Sequence, residues 1–363
     1  MKLHFLLLPA ALCAAPMMLP LRSPAAAPLP APADAPATSS APAPAAAAAA
    51  TATARILAAA NAFLGTLDDA QRAKVTFKFE DAAQRVRWSN LPTGIVERHG
   101  LRMGDLKPAQ NEAIHTLLAA ALSPMGLEKV TGIIDADETL RQTDGGGGRL
   151  MFGKAEFYIS FLGAPSATEP WIIQFGGHHL AVNLTIVGDR DTLTPTLTAV
   201  QPSSFTKDGK TVRPLGREND KAFALVNALD EAQKKQAILG FQMRDLVLGP
   251  GQDGRTVAPE GIKASALNPA QQQQLLDLAR EWVGIIHESA AEAKMAELKA
   301  QLSDTWFSWS GPTQPGSAAY FRIQSPTLFI EYAPQRMGGD ATKHIHTMYR
   351  DPQNDYGKKF LAK

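Results

Sequence analysis

The sequence predicts an α+β fold in which a helical unit followed by an antiparallel β unit is used twice, giving two related sheets about a pseudo-twofold axis. Three observations carry this expectation. Apolar residues recur at helical spacing through "RILAAANAFLGTL" and "LKPAQNEAIHTLLAAALSPMGLEKVTGIIDADETLRQ", after which the texture changes to alternating strands rich in aromatic and β-branched side chains. The same change returns in the second half: "RENDKAFALVNALDEAQKKQAIL" and "LNPAQQQQLLDLAREWVGIIHESAAEAKMAELKAQL" precede "DTWFSWSG", "AYFRIQSPTLFIEYAP" and "KHIHTMYRD". Finally, "YISFLGAP" lies 148 positions before "WFSWSGPT", and the same step, without a gap, pairs Ser160 with Ser308, Phe161 with Trp309, Ile173 with Phe321, Leu180 with Leu328 and Asn183 with Glu331. Self-similarity of this kind is a mark of internal duplication. Convergence is the alternative, since any two amphipathic strands can be slid into partial agreement.

Taken in chain order, "MKLHFLLLPAALCAAPMMLPL" sets Lys2 before an apolar core from Phe5 to about Ala15 and then small residues. That is the order of a secretory signal peptide, assigned to residues 1–33. The core is too short for a dependable spanning helix, so a periplasmic or secreted protein without a stable membrane span is expected. Cys13, the only cysteine, falls inside this segment and leaves a mature chain with neither disulfide nor thiolate ligand. Lipidation of Cys13 is the other reading; Leu12 is large where lipoprotein signals place a small residue. Residues 34–54, almost all Ala, Pro, Ser and Thr, have too little large apolar surface to offset ordering entropy and read as a disordered spacer. One globular domain is expected over 55–363, with halves at about 55–200 and 217–363. Within it Pro108 and Pro269 suit first helical positions, "SPMG" breaks the first helical block and "TDGGGG" is a loop. Lys and Arg total 36 against 35 Asp and Glu, so no global field draws the chain to nucleic acid.

Chemistry is concentrated in two histidine pairs among the eight histidines, "GGHH" and "HIH", one in each half. In "HIH" the two-residue period of a strand puts His344 and His346 on one face, roughly 6.6 Å apart along the backbone. From there two imidazoles can converge on an ion at about 2.0 to 2.1 Å, though ordinary exposed strands carry the same spacing. In "GGHHLAVNLTIV", read as one strand, His178 shares the buried face with Leu180 and Val182, while His179 points the other way with Ala181 and Asn183. Either one ring is a core histidine with a satisfied hydrogen bond, or the glycines make a bulge that re-aims it. Glu331 interrupts the apolar run "TLFIEYAP" and needs a partner if buried; metal-bound histidines or Arg350 could supply it. Asp351, Asn354 and Asp355 are read as turn formers. Trp306, Phe307 and Trp309, with Tyr320 and Phe321, either line a ligand pocket or fill a sheet core.

Several chemistries are absent from the sequence: there is no H-E-x-x-H, no G-x-S-x-G and no phosphate-cradling loop, and "GGGG" lacks the context of a dinucleotide site, so no nucleotide cofactor is expected. The segments "EPWIIQFGGHHLAVNLTIV", "WFSWSGPTQPG", "YFRIQSPTLFIEYA" and "HIHTMYRDPQNDYG" resemble, together and in order, the DUF3500 domain, a family of exported proteins of unknown function. The resemblance runs over roughly residues 55 to 363 and implies one folded unit; it implies no reaction. Gly176 and Gly177 stand where that family frequently has an acidic residue. The residues themselves suggest a cleft site holding a transition metal (Zn, Fe, Mn or Cu) through His179, His344, His346 and Glu331. His178, Glu331 and Arg350 are the catalytic candidates, and Asn183 and Trp309 contact a small-molecule substrate in a hydrolase or an oxidoreductase. The competing reading is a metal-free exported protein that binds a small polar ligand with the same residues. A metal-free hydrolase using His and Glu as acid and base is a third reading, one that lacks a visible nucleophile.

Overall fold

The computed structural model describes residues 51–144, 149–337 and 339–361. The expected signal peptide, most of the expected spacer and the four glycines 145–148 lie outside the described residues. The chain divides after Ala48, and the account below concerns the unit beginning at Ala49.

Helix α1 (Ala52–Gly65) takes in the last residues of the expected spacer, capped by the Thr51 hydroxyl, which accepts from the Ala54 N–H at 3.2 Å. After α2 (Asp69–Val75), β1 (Thr76–Phe77), α3 (Ala82–Arg85) and β2 (Leu101–Arg102) comes the helical block. It breaks at Leu122–Ser123 into α4 (Pro108–Ala121) and α5 (Pro124–Asp144), each opening on a proline. Strands β3 (Tyr158–Leu162), β4 (Trp171–Gly177), β5 (Leu180–Val187), β6 (Arg190–Thr192) and β7 (Thr196–Val200) complete the first half. A separate hairpin, β8 (Phe205–Lys207) and β9 (Lys210–Val212), leads into α6 (Gly216–Ala228), α7 (Glu231–Ala237) and β10 (Ile262–Lys263). Then follow α8 (Pro269–Val283), α9 (Glu288–Ala300), β11 (Trp306–Ser310), β12 (Tyr320–Ser325), β13 (Leu328–Pro334), β14 (Ile345–Arg350) and α10 (Lys358–Leu361). No helix of the described residues is long and apolar enough to cross a membrane.

The α+β class is observed, but the strands of the two halves do not form two facing sheets. They make one sheet in the order β1-β3-β4-β5-β7-β14-β13-β12-β11-β10, with β2 added to β3 and β6 to β5. The halves join where β7 pairs antiparallel with β14, Thr198 opposite Thr347. Register is matched on the two sides: Phe161 faces Ile173 as Trp309 faces Phe321, and Gln174 faces Asn183 as Arg322 faces Glu331. The helices agree, since Asp68 with Gln71 and Asp230 with Gln233 both form capping boxes. The Gln110 amide donates to Gln71 at 2.9 Å, and that of Gln271 to Gln233 at 2.8 Å.

One face of the sheet is apolar and lies under the helices: Phe161, Ile173 and Leu184 pack with Phe63, Leu117 and Ile133, and Phe321, Ile323 and Ile330 with Leu225, Leu278 and Trp282. The opposite face is polar yet also buried, carrying Ser160, Gln174 and Asn183 on one side and Ser308, Arg322 and Glu331 on the other. Its centre is a small apolar patch of Ala181, Leu197, Ala199 and Met348, covered by Trp88 and Leu246 from two long loops. Those loops therefore supply hydrogen-bond partners as well as cover, because buried polar groups without partners are costly. The histidines gather at the edge of this patch.

Candidate metal centre

His178 and His179 are not part of a continuous strand. They form the two-residue turn between β4 and β5, closed by the Gly177–Leu180 pair, with His179 in the left-handed region at φ 65°. The opposite-facing rings expected from strand alternation are replaced by two stacked imidazoles whose centres are 3.6 Å apart. Gly176 is required just before this turn, because a Cβ there would sit 2.3 Å from the Leu180 carbonyl oxygen. The turn places His179 next to β7, where its carbonyl accepts from the Ala199 N–H at 2.8 Å. Ala199 in turn lies opposite His346 on β14. One small side chain thus separates the two histidines across the sheet, and the period of the "HIH" strand brings His344 to the same spot.

The result is a cluster of three buried imidazoles. His344 Nε2 is 3.0 Å from His179 Nε2 and 3.0 Å from His346 Nε2. Hydrogen bonding on the far side of the His344 ring fixes which of its nitrogens carries the lone pair. His344 Nδ1 faces the Met337 carbonyl oxygen at 2.8 Å; an oxygen there can only accept, so Nδ1 holds the hydrogen and Nε2 the lone pair. His346 Nδ1 lies 3.8 Å from the Asp245 carboxylate and 3.4 Å from the Asn90 side-chain amide nitrogen, a donor, so its two neighbours pull toward opposite tautomers. Burial, aided by the neighbouring rings, pushes the His179 pKa well below the usual histidine range and takes that of His344 down to about 4. Burial lowers His346 too, against the pull of Asp245. The cluster resists protons, and the free lone pair on His344 Nε2 faces the Nε2 atoms of both neighbouring rings.

His178 extends the group on the other side. Its Nδ1 is 2.5 Å from Asp137 Oδ1, while Asp137 Oδ2 accepts the Gly153 N–H at 2.7 Å. Phe152 packs against the His178 ring at 4.9 Å. Ligand atoms of His179, His344 and His346, and separately of Asp137, His178 and His179, lie close enough together to hold a metal ion.

The remaining candidates sit elsewhere. Glu331, fully buried, accepts the N–H groups of Val247 and Leu248 at 2.8 Å each and the Tyr320 hydroxyl at 2.6 Å, so both of its oxygens hold a loop. Arg350 grips the same loop through the Leu248 and Gly249 carbonyls and pairs with Asp253 and Asp355. Asn183 accepts from Gln174 at 3.0 Å and donates to the Pro195 carbonyl at 2.8 Å. Trp309 lies on the helix side of the sheet, stacked on Phe321 in the core. Asp137, Asp245 and Asn90 were missed by sequence reasoning. Only Asp137 leaves a trace, as a carboxylate on the buried stripe of α5 beside Val130, Ile133, Ala136 and Leu140.

Fold and cluster define an α+β protein with a buried tri-histidine group able to hold a metal ion. Residues 49–358 match the family described as protein of unknown function, DUF3500, and the chain belongs to that family. No curated protein and no solved structure matches it.

Proposed function

We propose that the protein is an exported metalloenzyme in which His179, His344 and His346 bind one divalent transition-metal ion through Nε2 and present it to water. The observation that carries this reading is the pair of 3.0 Å Nε2 separations within a buried, proton-resisting cluster. Nitrogens at that separation could share one ion at ordinary bond lengths of about 2.1 Å. When bound, such an ion would supply activation of water as a nucleophile. His178, its Nδ1 engaged by Asp137, keeps Nε2 as the proton acceptor, and hydrolysis is the reaction class this pairing favours. Glu331 and Arg350 act through the loop they hold, which carries Asp245 toward His346. Export rests on the N-terminal residues 1–33. The matched strand registers support an internal duplication about an axis near the β7–β14 pair.

The test is elemental analysis of the untagged protein. About one equivalent of Zn or Mn supports the hydrolase; Fe or Cu keeps the centre and moves the reaction to oxidation. Less than about a tenth of an equivalent of every transition metal, after reloading, overturns the proposal, since such a ligand set binds tightly.

A further inference from the structure

A second group of reactive side chains lies at the opposite end of β5 from His179. Asp191 on β6, paired with Ile186, faces the start of α9, where His287 and Ser289 stand. Asp191 Oδ2 is 2.7 Å from His287 Nε2, and His287 Nδ1 is 3.0 Å from Ser289 Oγ. A carboxylate only accepts, so Nε2 carries the hydrogen, Nδ1 carries the lone pair, and the Ser289 hydroxyl donates to it. The side chains of Asp191 and His287 are 1% and 7% exposed, whereas Ser289 is open to solvent. All three line a cavity of about 950 Å³, ample for a small organic substrate.

The ordinary explanation would be a helix cap. His287 does occupy the N-cap position of α9, but its side chain makes no hydrogen bond to the helix N–H groups. Its two ring nitrogens go instead to a buried carboxylate and a hydroxyl. Asp191 Oδ1, also buried, has no hydrogen-bond partner, so the carboxylate is not consumed by a structural network. Ser289 sits in the first turn of a 13-residue helix, where backbone N–H groups lack intrahelical acceptors and favour a developing negative charge.

We infer that Ser289, His287 and Asp191 form an acyl-transfer site that hydrolyses small carboxylic esters in this cavity, independently of the histidine centre. Ser289 Oγ bonds to the ester carbonyl carbon as its proton passes to His287 Nδ1. The carbonyl oxygen takes the negative charge beside the first-turn N–H groups of Ser289 and Ala290. As the bond to the alcohol oxygen breaks, the departing alkoxide receives the proton from Nδ1. Water then attacks the acyl-serine, giving a proton to Nδ1; the acid leaves, and Ser289 regains its hydrogen. Ser289 and His287 are the catalytic residues. Asp191 is a positioning residue that fixes the tautomer.

The experiment is labelling of the full chain with a fluorophosphonate probe, with the adduct located by peptide mass spectrometry. The expected result is a single adduct on Ser289, absent in Ser289→Ala, which keeps its thermal stability because the side chain is exposed. Asp191→Asn should label about 100-fold more slowly or worse and lose the rise in rate with pH that marks a general base. Labelling should be unchanged by chelator, so failure of the metal proposal would leave this one standing. No adduct on Ser289 overturns the inference, as does an adduct that forms equally fast in folded Asp191→Asn.

Discussion

Replacing Glu331 separates two roles open to a buried carboxylate near the histidines: metal ligand or loop anchor. Its oxygens are occupied by the N–H groups of Val247 and Leu248 and by the Tyr320 hydroxyl, while burial pushes its pKa up and those donors oppose the shift. Glu331→Ala strands three donors, each costing about 1 to 3 kcal/mol, so the chelated protein should lose about 3 to 9 kcal/mol in urea unfolding. Glu331→Gln keeps the volume but can turn an NH2 group toward a backbone N–H, at about 1 to 3 kcal/mol. Release of residues 247 and 248 also frees Asp245, two positions earlier, from its place beside His346 Nδ1. Loss of such an outer partner weakens a metal about 10- to 100-fold without changing stoichiometry. Competition with a metallochromic chelator measures this directly. An anchor predicts one metal per chain in Glu331→Gln with weakened affinity. A variant with unaltered unfolding midpoint and unaltered affinity, or one that binds no metal while remaining fully stable, would refute the reasoning.

Other substitutions separate site from scaffold. His179→Ala should abolish stoichiometric metal and make the melting temperature insensitive to chelator, as measured by differential scanning fluorimetry with and without EDTA. Trp309→Ala should cost about 3 to 5 kcal/mol through lost core packing, yet leave the metal content at its wild-type value by elemental analysis. The Asp355 carboxyl is raised from 3.8 to about 6 by burial, in part offset by Arg350. Between those values the native state keeps a proton that the unfolded chain has released, so its contribution is present below about pH 4 and fades as pH rises through 6. That amounts to about 3 kcal/mol in pH-dependent urea unfolding, and Asp355→Asn should flatten this part of the profile.

The helical blocks and strands were legible because their periods are local properties. Pro108 and Pro269 marked helix starts, and the gapless step of 148 residues anticipated a register match found strand by strand. The joining of both halves into one sheet was not legible, since the β7–β14 pairing depends on edges that meet across about 150 residues of chain. Nothing in the spacing of Thr198 and Thr347 announces that contact.

At the site, period-two reasoning succeeded for "HIH" and failed for "GGHH", and the difference is physical. A two-residue turn reverses the chain at residues 178 and 179, so the alternation that holds along β14 has no meaning there. The usual signal for such a turn, Asn-Gly or Asp-Gly, is missing; His179 adopts a positive φ that only the surrounding contacts enforce. Glu331 shows the same limit from the other side. Its need for a partner followed from the cost of a buried charge, but the partners are backbone amides of a loop that carries no motif. Sequence chemistry thus identifies groups that cannot be buried alone, while tertiary structure decides whether an ion or a peptide bond satisfies them. His344, His346 and His179 bring three ring nitrogens that resist protonation to one spot, whereas Glu331 is already supplied with donors. Of these groups it is therefore the histidines, not Glu331, that could hold an ion.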